Sequence, residues 1–173
     1  TSGSTESNNT AILGIEEYAR ATKKMHIITT AIEHKAVLEP LKYLEGKGFS
    51  VDYVKPDESG RINSETLLSK IRNDTVLVSV MFVNSETGII QPVEEIGRAL
   101  KKKKVLFHVD ATQALGKLND RIRNLDYDMM SIAAHKIGGP QGIGALILKR
   151  DEQYKRPPIT PLMYGGHQEH GFR

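Results

Sequence analysis

The sequence predicts a three-layer α/β/α fold on a mostly parallel sheet, and three observations carry that expectation. Apolar strand-like runs alternate with helix-period segments long enough to cross back over a sheet, the pattern of repeated βαβ units. The central run Leu77-Val78-Ser79-Val80-Met81-Phe82-Val83 is almost unbroken in apolar character, as a strand covered on both faces must be. The 173 residues suit one globular domain, and 39% hydrophobic with 26% charged residues can both fill a core and solvate its surface.

Each element follows in order. A hydroxyl-rich opening, Thr1-Ser2-Gly3-Ser4-Thr5-Glu6-Ser7, runs into a helix expected over 6–22. A strand at 26–30 precedes a helix at 35–47, and a strand at 49–54 precedes a helix at 64–71. The strand over 75–83 leads to a helix at 93–102, which carries Glu94 and Glu95 at its start and a lysine run at 101–104 at its end, complementing the helix dipole. Strands at 105–109, near 128–133 and at 144–148 complete the set. Pro157, Pro158 and Pro161 read as the chain leaving the domain after Lys155. The opening at Thr1 without a methionine and the end at Arg173 after a glycine-rich turn read as cuts through a longer protein, so residues 1–173 are taken as one domain of it.

Composition narrows the function. No apolar run approaches the roughly 20 residues that span a bilayer, and no charged-then-apolar leader opens the chain, which predicts neither a membrane protein nor a secretory precursor. The pI of about 9.0 comes from an excess of only +3, part of it the 101–104 run, so a nucleic-acid partner is not expected. With no cysteine there are no disulfides or thiolate metal sites, in keeping with a cytoplasmic protein.

In a parallel α/β sheet ligands sit beyond the carboxyl ends of the strands, so the residues just past each apolar run are the ones to inspect. They are unusually polar: Glu33 and His34; Asn84, Ser85 and Glu86; Asp110 through Gln113; His135 and Lys136. The opening turn offers hydroxyls and free N–H groups at a helix start, which is either an anion site or an ordinary cap with Glu6 as its acid. Asp110 at a strand end either caps the next turn or holds a proton on a cofactor's ring nitrogen. Lys136, beside His135 and before Ile137-Gly138-Gly139-Pro140-Gln141-Gly142-Ile143-Gly144, is either a surface lysine in a glycine turn or an amine whose lowered proton affinity, near cations and dry walls, suits a Schiff base. No Gly-Lys-Ser/Thr follows those glycines and no Gly-x-Gly-x-x-Gly opens a helix after the first strand, so neither a phosphate loop nor a dinucleotide fingerprint is read. His167 and His170 invite a metal reading, but flanking glycines and the lack of a third ligand argue against one.

Thr1-Ser2-Gly3-Ser4-Thr5-Glu6-Ser7-Asn8-Asn9, Glu33-His34-Lys35-Ala36-Val37, Val83-Asn84-Ser85-Glu86-Thr87-Gly88, His108-Val109-Asp110-Ala111-Thr112-Gln113 and Ala134-His135-Lys136 with its glycine turn, closed by Gly165-Gly166-His167-Gln168-Glu169-His170-Gly171-Phe172-Arg173, together resemble the cysteine desulfurases of NifS and IscS type. These are pyridoxal-phosphate enzymes of fold type I, in the class-V aminotransferase group. The resemblance implies the aspartate-aminotransferase-like large domain, lacking an N-terminal segment and a C-terminal small domain. It implies Lys136 as the lysine bonded to the cofactor, Asp110 at the pyridine nitrogen, His34 stacked on the ring and assisting catalysis, and Gln113 on the phenolic oxygen. Thr5 and His135 match phosphate-binding positions, with the Ser4 backbone helping. Ser85 stands where the family commonly has an asparagine, and Ala133 where it has a serine on the phosphate. Loss of that hydroxyl contact removes about 1.5–3 kcal/mol of phosphate binding where nothing replaces it. His170 stands where an arginine is frequent. The resemblance further implies L-cysteine as substrate, alanine and an enzyme persulfide as products, a homodimer, and a sulfur acceptor or scaffold protein in iron–sulfur cluster assembly or tRNA thiolation. The catalytic cysteine and the arginine for the substrate carboxylate are expected beyond Arg173. A related selenocysteine or cystine lyase and a non-catalytic relative are the alternatives.

Overall fold

The computed structural model describes residues 1–166 and 171. Its strands are β1 (His26–Thr30), β2 (Ser50–Val54), β3 (Thr75–Met81), β4 (Leu106–Asp110), β5 (Met129–Ala133) and β6 (Gly144–Leu148), which form one sheet in the order β2-β1-β3-β4-β5-β6. The first five are parallel, and β6 pairs antiparallel with β5 at the edge. Helices α1 (Ser4–Leu13), α2 (Glu16–Thr22) and α3 (Lys35–Gly46) cover one face, and α4 (Ser64–Ser69), α5 (Val93–Leu100) and α6 (Asn119–Arg123) the other. This is the expected three-layer arrangement.

Strand alternation divides the core in two. Leu77 and Ile27 pack with Ile12, Leu41 and Leu44 on the α1–α3 side, whereas Val78, Val80, Phe107 and Val109 pack with Leu67, Ile96 and Leu100 on the α4–α5 side. On the first side the alternation also buries a polar row. Thr29 Oγ1 donates to Ser79 O at 2.9 Å, and the His108 ring is bracketed by Ser79 Oγ on Nδ1 and Ser131 Oγ on Nε2, each at 2.9 Å. Burial pushes the His108 imidazole down to about 4 against the opposing pull of Asp110, so the ring is neutral at pH 7 and both of its nitrogens are satisfied by hydroxyls.

Pro40 sits inside α3 and has no N–H to give the carbonyl one turn back. Asn9 Nδ2, from α1, donates to that Ala36 carbonyl at 3.4 Å and so ties the two helices at the break.

Two expectations are corrected. The helix over 6–22 is two helices, because Gly14 ends α1 and α2 begins at Glu16. The chain also does not leave the domain after Lys155. It returns, with Ile159 buried and Thr160 N–H bonded to Gly14 O at 2.8 Å. The crossing is possible because Gly14 lacks a Cβ, which would lie 2.4 Å from Thr10 O and 2.8 Å from Thr160 O. Prolines that read as punctuation instead stiffen a strap across the α1–α2 break. Among the described residues no helix is long and apolar enough to cross a membrane, and no cluster of His, Asp or Glu is placed to hold a metal. His167 and His170 lie outside the described residues.

Gly14→Ala in the full-length protein is expected to cost about 1–3 kcal/mol through backbone overpacking, read as a lower urea midpoint with the slope unchanged.

Candidate functional site

The carboxyl ends of β1, β3, β4 and β5 open on one side of the sheet, and a cleft of about 300 Å3 lies there, at the small end of the range for small-molecule sites. Ser4, Thr5, His34, Ser85, Asp110, Gln113, His135 and Lys136 line it with Met81, Val83, Glu86 and Thr112. Ala133, the remaining candidate, is buried at the end of β5 and is not part of the lining. A larger groove of about 840 Å3 is bounded by residues 100–105, 126–128 and 149–153 at the opposite ends of β4 and β5. Its size reflects an open surface between charged side chains, and it holds none of the strand-end polar groups, so the chemistry belongs to the smaller cleft.

The opening turn docks on the edge strand. Gly144 N–H donates to Thr1 O at 2.9 Å, and a Cβ on Gly144 would stand 2.5 Å from the Gly3 Cα, so only glycine admits the contact. That docking brings the start of α1 beside the 3-10 turn Ala134–Ile137, which carries His135 and Lys136. The first intrahelical bond runs from Ser7 N–H to Gly3 O at 3.1 Å, so the N–H groups of Ser4 and Thr5 precede the helical ladder. Glu6 reaches back to Ser2 N–H and Oγ at 2.7 and 2.6 Å. The capping acid and the anion-ready helix start are therefore both present, on different residues of one turn.

His34 caps α3, its Nδ1 accepting from Ala36 N–H at 3.1 Å. A backbone N–H can only donate, so the neutral ring carries its proton on Nε2. Gln113 Oε1 accepts from Lys117 Nζ at 3.1 Å, leaving the amide nitrogen as its donor end. Ser85 Oγ donates to Glu86 at 3.4 Å. Lys136 and His135 are exposed, so this chain alone does not build the dry walls expected around the amine.

Asp110 is 6% exposed and held from two sides: Asn8 Nδ2 donates to Oδ2 at 2.8 Å and Thr112 N–H to Oδ1 at 3.0 Å. Both readings of this residue are therefore realised, since one oxygen closes a local turn and the side chain also faces the cleft. Four buried side-chain atoms lack a hydrogen-bond partner among the described residues, and three of them, Asn8 Oδ1, Glu33 Oε2 and Thr112 Oγ1, belong to residues that touch Asp110 or feel its charge.

Three further contributors hold the site together; Glu33 and Asn84 stand among the polar residues that follow the strands, whereas Asn8 carried no signal of its own. Asn8 lay within a quoted motif. Asn84 organises the loop that presents Ser85, its Oδ1 accepting from Glu86 N–H, Thr87 N–H and Thr87 Oγ1 while its Nδ2 reaches Ile32 O at 3.0 Å. Its signal is an asparagine straight after an apolar strand and at the head of the polar run Ser85-Glu86-Thr87. Glu33 accepts from Thr30 Oγ1 at 2.6 Å and Met81 N–H at 2.9 Å, joining the ends of β1 and β3. Burial raises its carboxyl to about 8 against those two hydrogen bonds, and the Asp110 charge pushes the same way as burial.

The aminotransferase class-V family model matches residues 1–171. The cysteine desulfurase IscS of Dechloromonas aromatica (strain RCB) is 46% identical over 173 residues, all of this chain and 42% of the relative. The IscS of Plasmodium falciparum (isolate 3D7) is 45% identical over 177 residues, 31% of its length. The crystal structure of DndA from Streptomyces lividans superposes with a TM-score of 0.97 at 51% identity over all of this chain and 49% of that one, and SspA in complex with cysteine with 0.90 at 42% over the same shares. The chain spans about a third to two fifths of the curated relatives it matches.

Glu33 keeps its proton to about 8 when folded and to about 4.5 when unfolded, so the folded state binds more protons between those values. Its contribution to stability is complete below about 4.5 and fades as pH rises to about 8. Glu33→Gln is expected to remove that component of the slope in urea titrations run from pH 5 to 8.5, while an unchanged slope rules out the buried acid.

Proposed function

Because the chain belongs to the class-V aminotransferase family, we propose that it is the cofactor-holding large domain of a pyridoxal-phosphate-dependent cysteine desulfurase, which removes sulfur from L-cysteine to leave L-alanine. The observation that carries the reading is the meeting of Lys136 and Asp110 in one cleft, with a helix start on the same wall. The named relatives support the substrate, since the matched curated proteins are cysteine desulfurases and a solved relative holds cysteine.

The donor set fits the cofactor. Ser4 and Thr5 offer N–H and hydroxyl donors to a phosphate, with His135 beside them; Asp110 accepts from a ring N–H; Gln113 donates from its amide to a phenolic oxygen; and Thr112 Oγ1 is a buried hydroxyl in the lining with no partner of its own. When bound, pyridoxal phosphate supplies an aldehyde carbon that condenses with amines and an electron-poor ring that spreads negative charge from an adjoining carbon. Lys136 Nζ anchors the cofactor and takes the proton from Cα of the substrate. His34, fixed by its cap to α3 and lining the cleft, would pack against the ring and offer Nε2–H as a donor. Asp110 keeps the ring nitrogen protonated. The chain has no cysteine, so the thiolate that takes the sulfur is supplied from outside these residues and hands it to an acceptor protein. A homodimer is part of the same proposal, supported by the exposure of Ile137 and Ile143 on the segment that follows Lys136.

Full-length protein with pyridoxal phosphate is expected to absorb at about 390–430 nm and to yield alanine and a protein-bound persulfide from cysteine. Lys136→Ala is expected to abolish both band and turnover. Free sulfide with pyruvate and no alanine assigns a lyase instead, and absence of the band in wild type overturns the cofactor reading.

A further inference from the structure

The bond between Asn8 and Asp110 crosses 102 residues of sequence and is fully enclosed. Asn8 is 1% exposed, its Nδ2 lies 2.8 Å from Asp110 Oδ2, and its Oδ1 is buried with no partner among the described residues. That asymmetry is informative. An amide that only filled space would turn so that its oxygen found a donor, because a buried unsatisfied carbonyl is costly. Here the nitrogen end faces the carboxylate at the expense of the oxygen end, since the reverse would set two oxygens against each other. The carboxylate therefore fixes the amide, and the amide in turn fixes the carboxylate, whose other oxygen is pinned by Thr112 N–H.

Asn8 also lies on α1 three residues beyond Thr5, about 4.5 Å along the axis and on the same face. The helix that opens with the anion-ready turn thus holds, one turn later, the group facing the far end of the cleft.

We propose that Asn8 is a positioning residue: it sets the plane of the Asp110 carboxylate toward the cofactor's ring nitrogen and, through α1, fixes that grip relative to the phosphate grip at Ser4 and Thr5. The proposal rests on the pyridoxal-phosphate reading above. Asn8 touches neither ring nor substrate and acts through Asp110.

The test uses full-length protein with pyridoxal phosphate as the probe, labelled with 15N in the ring. Asn8→Ala and Asn8→Ser are made in the wild-type and Asp110→Asn backgrounds, and melting of each cofactor-free protein reports folding. In the wild-type background both variants are expected to weaken binding about tenfold or more and to move the ring 15N resonance toward unprotonated pyridine. In the Asp110→Asn background the same changes are expected to alter affinity by less than about twofold. Wild-type affinity and resonance in Asn8→Ala overturn the proposal, as does an equal penalty in both backgrounds, which is the mark of a purely structural role. If one variant does not fold, the other runs the same cycle. Failure of wild type to bind the probe is seen before any variant is read and overturns the cofactor assignment itself.

Discussion

A carboxylate stationed where a buried strand runs out is the constraint around which the rest is arranged. Asp110 lies two residues past His108 on β4 and therefore on the same face, the one covered by α1. A buried carboxylate needs donors, and it obtains one from a helix that begins more than a hundred residues earlier and one from its own turn. Behind it, the row through Thr29, Ser79, His108 and Ser131 satisfies polar groups without adding charge, because the imidazole is neutral. Glu33, which feels the Asp110 charge, has its carboxyl raised to about 8, chiefly by burial. Of the two acids that line the cleft, Asp110 is buried and Glu86 exposed.

Much of the fold was legible because its signal is local. Leu77 through Val83 announces a doubly covered strand, and the polar residues after each strand mark one end of the sheet before any coordinates are known. Six of the nine candidate residues meet at that end for the same reason, since a parallel sheet brings its strand termini together, while Ser4 and Thr5 arrive by the docking of the opening turn on β6. Ala133 is the exception. As the last residue of β5 it points into the packed interior, and its small side chain gives the sequence no hint of direction.

What the sequence could not give is non-local. Gly14 interrupts a helical pattern only because residues 159–160 pass over it, and no periodicity in 6–22 encodes a contact from so far away. The partnership of Asn8 with Asp110 is of the same kind, for neither residue names the other until the sheet has formed. Lys136 was expected between dry walls, an inference from chemistry and not from packing, and within this chain the turn it occupies is exposed.

The returning strap has a mechanical meaning. Thr160 N–H grips Gly14 O and Thr160 Oγ1 grips Glu17 at 2.9 Å, so the polypeptide that continues past β6 is fastened to the joint between α1 and α2. The upstream arm of that joint is the helix carrying Thr5 and Asn8, so one hydrogen-bonded path runs from residue 160 to the wall of the cleft.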